Sequence, residues 1–259
     1  MRKFAVISIF FSLLAGPILA SEPTLWQALD SPEIRIHYRQ GNGSEAQLLA
    51  SAGGPVLQTV EQDLGLEVSG PLEVRILPPD GNEDRNDGAP HWAVGYVTGG
   101  SSEVVLRGSW VRTYPFGDLL SLFAHETTHA LLNTLPTADS LPRWFQEGVA
   151  VSESRHWSLR DAFALGTTVL IGSPMPLARL THSFPSEDSE ARAAYAESFH
   201  FVSYLQRKHG AEAIRRIVGE MKKGASFPEA FRRALGNDLA VEELSWRSRV
   251  NFAYRWIPA

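Results

Sequence analysis

Residues 34–39 (IRIHYR) alternate apolar and polar side chains, which predicts a strand with one buried face. A helical period follows over 45–64, although Gly53, Gly54 and Pro55 weaken its centre. LEVRILP, from Leu72, predicts a second strand. GNEDRNDGAP, from Gly81, predicts a polar surface loop. HWAVGYV, from His91, predicts a short strand and SEVVLRG, from Ser102, a clearer one. From Asp118 the period lengthens to that of helices. Asp118 can cap a helix running through Leu132, and Pro136 and Pro142 separate it from a second helix over 141–153. Residues 167–185 mix Gly, Pro and Thr and predict an irregular surface segment. Helical spacing resumes over 191–208, 211–222, 227–235 and 241–254, punctuated by Gly210, Gly224 and Gly236.

The pattern divides the chain into a β-rich part over 21–116 and a helical part over 117–259. The first twenty residues differ from both. Arg2 and Lys3 precede an apolar run from Phe4 to Leu14, Gly16 and Pro17 break it, and Ala20 offers a small residue for cleavage. That arrangement predicts a signal peptide over 1–20 and an exported product, periplasmic or secreted and of bacterial type. The run is too short to span a bilayer, and no later segment is long and apolar enough, so no stable membrane insertion is expected after cleavage. The chain has no cysteine. Its stability must come from its core, and any zinc it holds must use histidine and carboxylate ligands. With a net charge of −5 and no clustered basic footprint, it does not read as a nucleic-acid binder. Asp80, Asn82 and Asp84 have the spacing that opens a calcium loop. Arg85 and His91 then stand where a glycine and a glutamate are needed, which favours a plain loop.

The chemistry concentrates in AHETTHALLNTLPTADSLPRWFQEGVAVSES, residues 124–154. On a helix, His125 and His129 lie one turn apart on one face, where both imidazoles can reach a single metal ion. Glu126 points beside that metal and can take a proton from a metal-activated water, the HExxH arrangement. By chance the pattern arises in roughly one or two such chains per hundred, so its surroundings matter. Leu119, Leu122, Phe123, Ala130 and Leu131 make the helix apolar on most sides. A carboxylate there needs a partner, which a metal supplies. A catalytic zinc takes three protein ligands, and Glu147, in the helix after the two prolines, is the candidate third. Glu153 and His156 are rivals by reach.

HETTH followed by PRWFQEGVAV resembles the gluzincin branch of the zincin metallopeptidases, and most closely the peptidase MA-like domains of bacterial exported proteins. MPLARLTHSFPS, AYAESFHFVSYLQRKHG, GASFPEAFRRALG and Trp246 extend the likeness over roughly residues 90–250. The resemblance implies His125, His129 and Glu147 as Zn2+ ligands and Glu126 as general base. It also implies an α+β zincin-like fold: a small twisted mixed sheet packed on a helical core, with the cleft between the sheet and the C-terminal helices. Tyr195, in the AYAES segment, is the candidate oxyanion donor, although Tyr195, Phe199 and Val202 also have the spacing of core residues. His182 and His200 are weaker candidates. By analogy, the strand over 103–106 is expected at the cleft edge, pairing with extended substrate. The chain departs from the large aminopeptidases in lacking their G-x-M-E-N element. Leu135 stands where metzincins carry a third histidine, and Val151 where thermolysin-like enzymes carry a supporting aspartate.

The expected function is zinc-dependent hydrolysis of peptide bonds in a peptide or protein substrate, by an endopeptidase. The competing readings are a binding protein on a zincin fold and a zinc hydrolase acting on a non-peptide amide.

Overall fold

The computed structural model describes residues 26–77, 95–97, 103–107, 117–155, 158–185 and 187–255. The expected leader, the calcium-like loop and His156 lie outside them.

Among the described residues, five strands form one mixed sheet: β1 (Gln27–Asp30), β2 (Ile34–Tyr38), β3 (Leu72–Leu77), β4 (Gly95–Val97) and β5 (Val104–Arg107), in the order β1-β2-β3-β5-β4. β2, β3 and β5 run parallel, and β1 and β4 close the two ends antiparallel. Alternation explains β2. Ile34 and Ile36 are buried, while Arg35 and His37 point outward to Glu73 of β3 at 3.1 and 2.9 Å. Between β2 and β3 runs α1 (Gly43–Leu64), the crossover that a parallel pair requires. It passes unbroken through Gly53, Gly54 and Pro55. A Cβ on Gly53 would lie 2.7 Å from Cδ1 of Ile34, so the glycine that weakens the helix also lets it settle onto the sheet.

The helical part comprises α2 (Leu119–Leu132), α3 (Arg143–Ser154), α4 (Leu159–Ile171), α5 (Asp188–His209), α6 (Ala213–Lys222), α7 (Phe227–Leu235) and α8 (Leu239–Arg255). This is the α+β, zincin-like arrangement expected, with one revision. Residues 167–185 are not a surface loop throughout. α4 continues to Ile171, and Leu177 and Leu180 are buried in a short 3-10 turn. A capping box starts α4: the Ser158 hydroxyl accepts from the Asp161 amide, and the Asp161 carboxylate accepts from that of Ser158.

Among the described residues, two apolar clusters fill the interior. One joins the sheet to α1 through Ile34, Ile36, Leu49, Leu57, Val74 and Leu106. The other joins the later helices around Trp144, Phe145, Phe201, Phe227 and Trp246. Helix α2 is the seam: Leu122 and Phe123 enter the first cluster, and Leu131 and Leu132 the second. Among the described residues no helix is long and apolar enough to cross a membrane.

Candidate metal centre

Helix α2 starts where the sequence places it. Asp118 accepts a hydrogen bond from the Ser121 amide at 2.8 Å, which fixes the helix phase two turns ahead of His125. His125 and His129 then share one face, their rings edge to face with centroids 4.8 Å apart and their Nε2 atoms 3.1 Å apart. From α3, Glu147 turns towards them. Its Oε2 lies 3.3 Å from Nε2 of His125 and 3.6 Å from Nε2 of His129.

The site is secluded: His125 is 3% exposed, Glu126 5% and Glu147 1%. Burial pushes the His125 imidazole down to about 4, which keeps it neutral and able to donate a lone pair. It pushes the Glu126 carboxyl up to about 7. For Glu147 burial acts in the same direction, but the His129 and Arg143 charges and the close approach of both imidazoles outweigh it. The carboxyl lies well below its ordinary range. Arg143, four residues before Glu147 on α3, forms an ion pair with Oε1.

These residues fit a zinc ion. Three ligand atoms, two imidazole nitrogens and one carboxylate oxygen, lie within 4.8 Å of one another. Among the described residues, Oε2 of Glu147 is buried and accepts no well-formed hydrogen bond, although two ring nitrogens face it. A two-histidine, one-carboxylate set is a catalytic zinc donor set, and it leaves a coordination position open.

Of the rivals for third ligand, Glu153 is turned away. It pairs with Asp63 of α1, and burial together with that second carboxylate pushes it up to about 8. Tyr195, on α5, packs edge to face on Phe184 with centroids 5.0 Å apart. His200 is structural. Its Nδ1 accepts from Trp246 Nε1 at 2.8 Å, and burial pushes it down to about 4. His182 is exposed.

The strand at the cleft needs correcting. The expected edge, 103–106, falls in β5, which is flanked by β3 and β4. Among the described residues β4 is the terminal strand, and a Cβ on its Gly95 would lie 2.6 Å from Oε1 of Glu126. Sequence reasoning missed Gly95 and Arg143, yet both had a signal. An isolated glycine inside a strand marks a close approach, and Arg143 is related to Glu147 by the i, i+4 rule. Gly148 lets α3 and α5 approach closely: a Cβ there would lie 2.6 Å from the Ser198 carbonyl oxygen.

Comparison with known proteins agrees with this geometry. The chain resembles a two-domain M1 zinc metallopeptidase, a glutamate-to-alanine mutant bound to L-tryptophan. Identity is 16% and the TM-score 0.54, over 88% of this chain and 52% of that one. An M1 zinc metallopeptidase from Deinococcus radiodurans, bound to a Tyr-Ser-Ala substrate, matches with 16% identity and a TM-score of 0.54, over 92% and 53%. The chain thus spans about half the length of these neighbours, and at this identity they establish the shared fold. No curated protein matches its sequence. The family model of the Peptidase MA superfamily matches residues 92–252, well over half of the chain and inclusive of every residue of the site. The chain therefore belongs to the Peptidase MA superfamily.

Proposed function

We propose that this protein is an exported zinc-dependent endopeptidase. The observation that carries the reading is the convergence of His125, His129 and Glu147, with Glu126 buried beside them under β4. His125, His129 and Glu147 hold the ion. When bound, zinc supplies a Lewis acid that polarises the scissile carbonyl and acidifies water. Glu126 takes the proton from the attacking water and returns it to the leaving amine. Glu126, buried beside the three ligand residues and against Gly95, is placed to do both. The oxyanion is held by the Tyr195 hydroxyl, from the α5 side. Extended substrate lies along β4, where Gly95 keeps the backbone close to Glu126.

The peptide bound to the Deinococcus radiodurans neighbour supports a peptide substrate here. Endopeptidase action is favoured over aminopeptidase action because the sequence lacks the G-x-M-E-N element that anchors a free N-terminus. Export rests on the basic start and apolar run of residues 1–20.

The test pairs Glu126→Gln with internally quenched peptides, free or acetylated at the N-terminus. Glu126→Gln should reduce hydrolysis at least ~1,000-fold while zinc stays bound. Hydrolysis surviving that change would show that the activity belongs to other chemistry. Cleavage confined to peptides with a free N-terminus would make the enzyme an aminopeptidase. Zinc binding without cleavage of any peptide, beside cleavage of cell-wall amides, would move the substrate class.

A further inference from the structure

We propose that Arg143 is the positioning residue for Glu147: it holds one carboxylate oxygen so that the other faces the two histidines. The proposal rests on the metallopeptidase reading of the site. Its observation is a division of labour within one carboxylate. Oε1 is taken by the Arg143 guanidinium, and Oε2 faces Nε2 of His125 and His129. A carboxylate 1% exposed requires a partner for its charge, and arginine supplies one that stays charged at any physiological pH. The guanidinium meets Oε1 through Nη2, which leaves Oε2 as the oxygen that faces the histidines. The third ligand is thereby oriented by the protein, as second-layer partners of metal ligands commonly do.

Two further features separate this role from incidental pairing. Arg143 is the first residue of α3, where the helix dipole favours an acid and disfavours a cation. Helix stability alone would select another residue. Its backbone is fixed as well, since the Arg143 amide donates to the Thr181 carbonyl at 2.7 Å. The root of the side chain is therefore anchored to the short 3-10 turn that precedes α5. The side chain stays 45% exposed, so it does little for the core. Val151 leaves the supporting aspartate of thermolysin-like sites without a counterpart at that position. Arg143 supports the ligand set from the opposite end of α3.

The experiment measures zinc affinity by chelator competition, and the visible spectrum of the cobalt-substituted protein, on the full chain. It compares wild type, Arg143→Gln, Arg143→Lys, Glu147→Gln, the Arg143→Gln/Glu147→Gln double variant and His129→Ala, with folding checked by circular dichroism. Arg143→Gln is expected to weaken zinc roughly 10–100-fold and to shift the cobalt bands. Arg143→Lys should recover part of the affinity. In the Glu147→Gln background the Arg143 change should have little further effect, because the group it positions is gone. Wild-type affinity and spectrum in Arg143→Gln would overturn the proposal, as would effects that simply add in the double variant. If Arg143→Gln does not fold, Arg143→Met, which keeps the aliphatic stem, takes its place with the same outcomes. His129→Ala is the control for the underlying reading. If it too leaves zinc affinity unchanged, the metal site itself is wrong, and the failure is not that of Arg143.

Discussion

A methyl group on Gly95 would lie 2.6 Å from Oε1 and 2.7 Å from Cγ of Glu126, inside any permitted contact. Either β4 or the glutamate must then move. Because the ligands stand on α2 and α3, Gly95→Ala should leave zinc content unchanged. It should lower kcat/KM by roughly 10–100-fold, since a displacement near 1 Å at the reacting groups costs about that much. Parallel metal analysis and peptide kinetics check this. A second residue lies outside the proposed chemistry. Glu197, on α5, is fully buried. Its Oε2 accepts from the Met175 amide at 2.9 Å, and among the described residues its Oε1 has no hydrogen-bond partner. Burial pushes it from 4.5 up to about 8. The fold therefore favours the protonated form. The stability this contributes is fully present below about pH 4.5 and is lost as pH rises through about 8. Glu197→Gln removes that dependence. Its stability relative to wild type should rise by roughly 2–5 kcal/mol across this window and level off above it, as read from urea unfolding at a series of pH values.

At the scale of elements, the contact between α3 and α5 sets where Glu147 stands. A Cβ on Gly148 would meet the Ser198 carbonyl, a backbone atom that cannot rotate away, and Cγ2 of Val202 at 2.8 Å. Gly148→Ala should cost roughly 1–3 kcal/mol in denaturant unfolding. It should also weaken zinc, since the displaced residue adjoins Glu147. Much of this layer was legible beforehand. Asp118, the two prolines and the apolar period placed α2 and α3, and the HExxH spacing put two candidate ligands on one face of α2. The start of α4 was hidden for a physical reason. Leu159, Phe163 and Leu170 face outward while Leu165 and Val169 face the core, so apolar residues encircle the helix and blur its period. Only the Ser158–Asp161 box marks its beginning. The order of β4 and β5 was hidden for another reason: sequence gives strands, whereas neighbours in a sheet are settled by long-range pairing.

Over the whole molecule, two apolar clusters meet at α2, and the candidate metal centre lies on that seam with ligands from α2 and α3. Without cysteine, the chain has no covalent link to hold the seam together. Zinc binds the folded arrangement and not the unfolded chain, so it should stabilise by mass action. Free zinc at about one hundred times its dissociation constant contributes roughly 2.7 kcal/mol. Chelation should therefore lower the melting temperature, and the fall should be absent in Glu147→Ala. An equal fall in that variant would show that the chelator acts elsewhere.

The placement of the ligands also sets the order in which they become available to a folding chain. His125 and His129 come into register as soon as one turn of α2 winds, a local event on the sub-microsecond scale. Glu147 arrives only when α3 docks, after the connection through Pro136 and Pro142 has closed and Trp144 has entered its aromatic nest against Phe201 and Phe227. Tight metal capture is thus a late step that follows tertiary assembly, and a half-folded chain offers just two nitrogens. Such an order keeps the ion off the chain until the site that holds it is assembled.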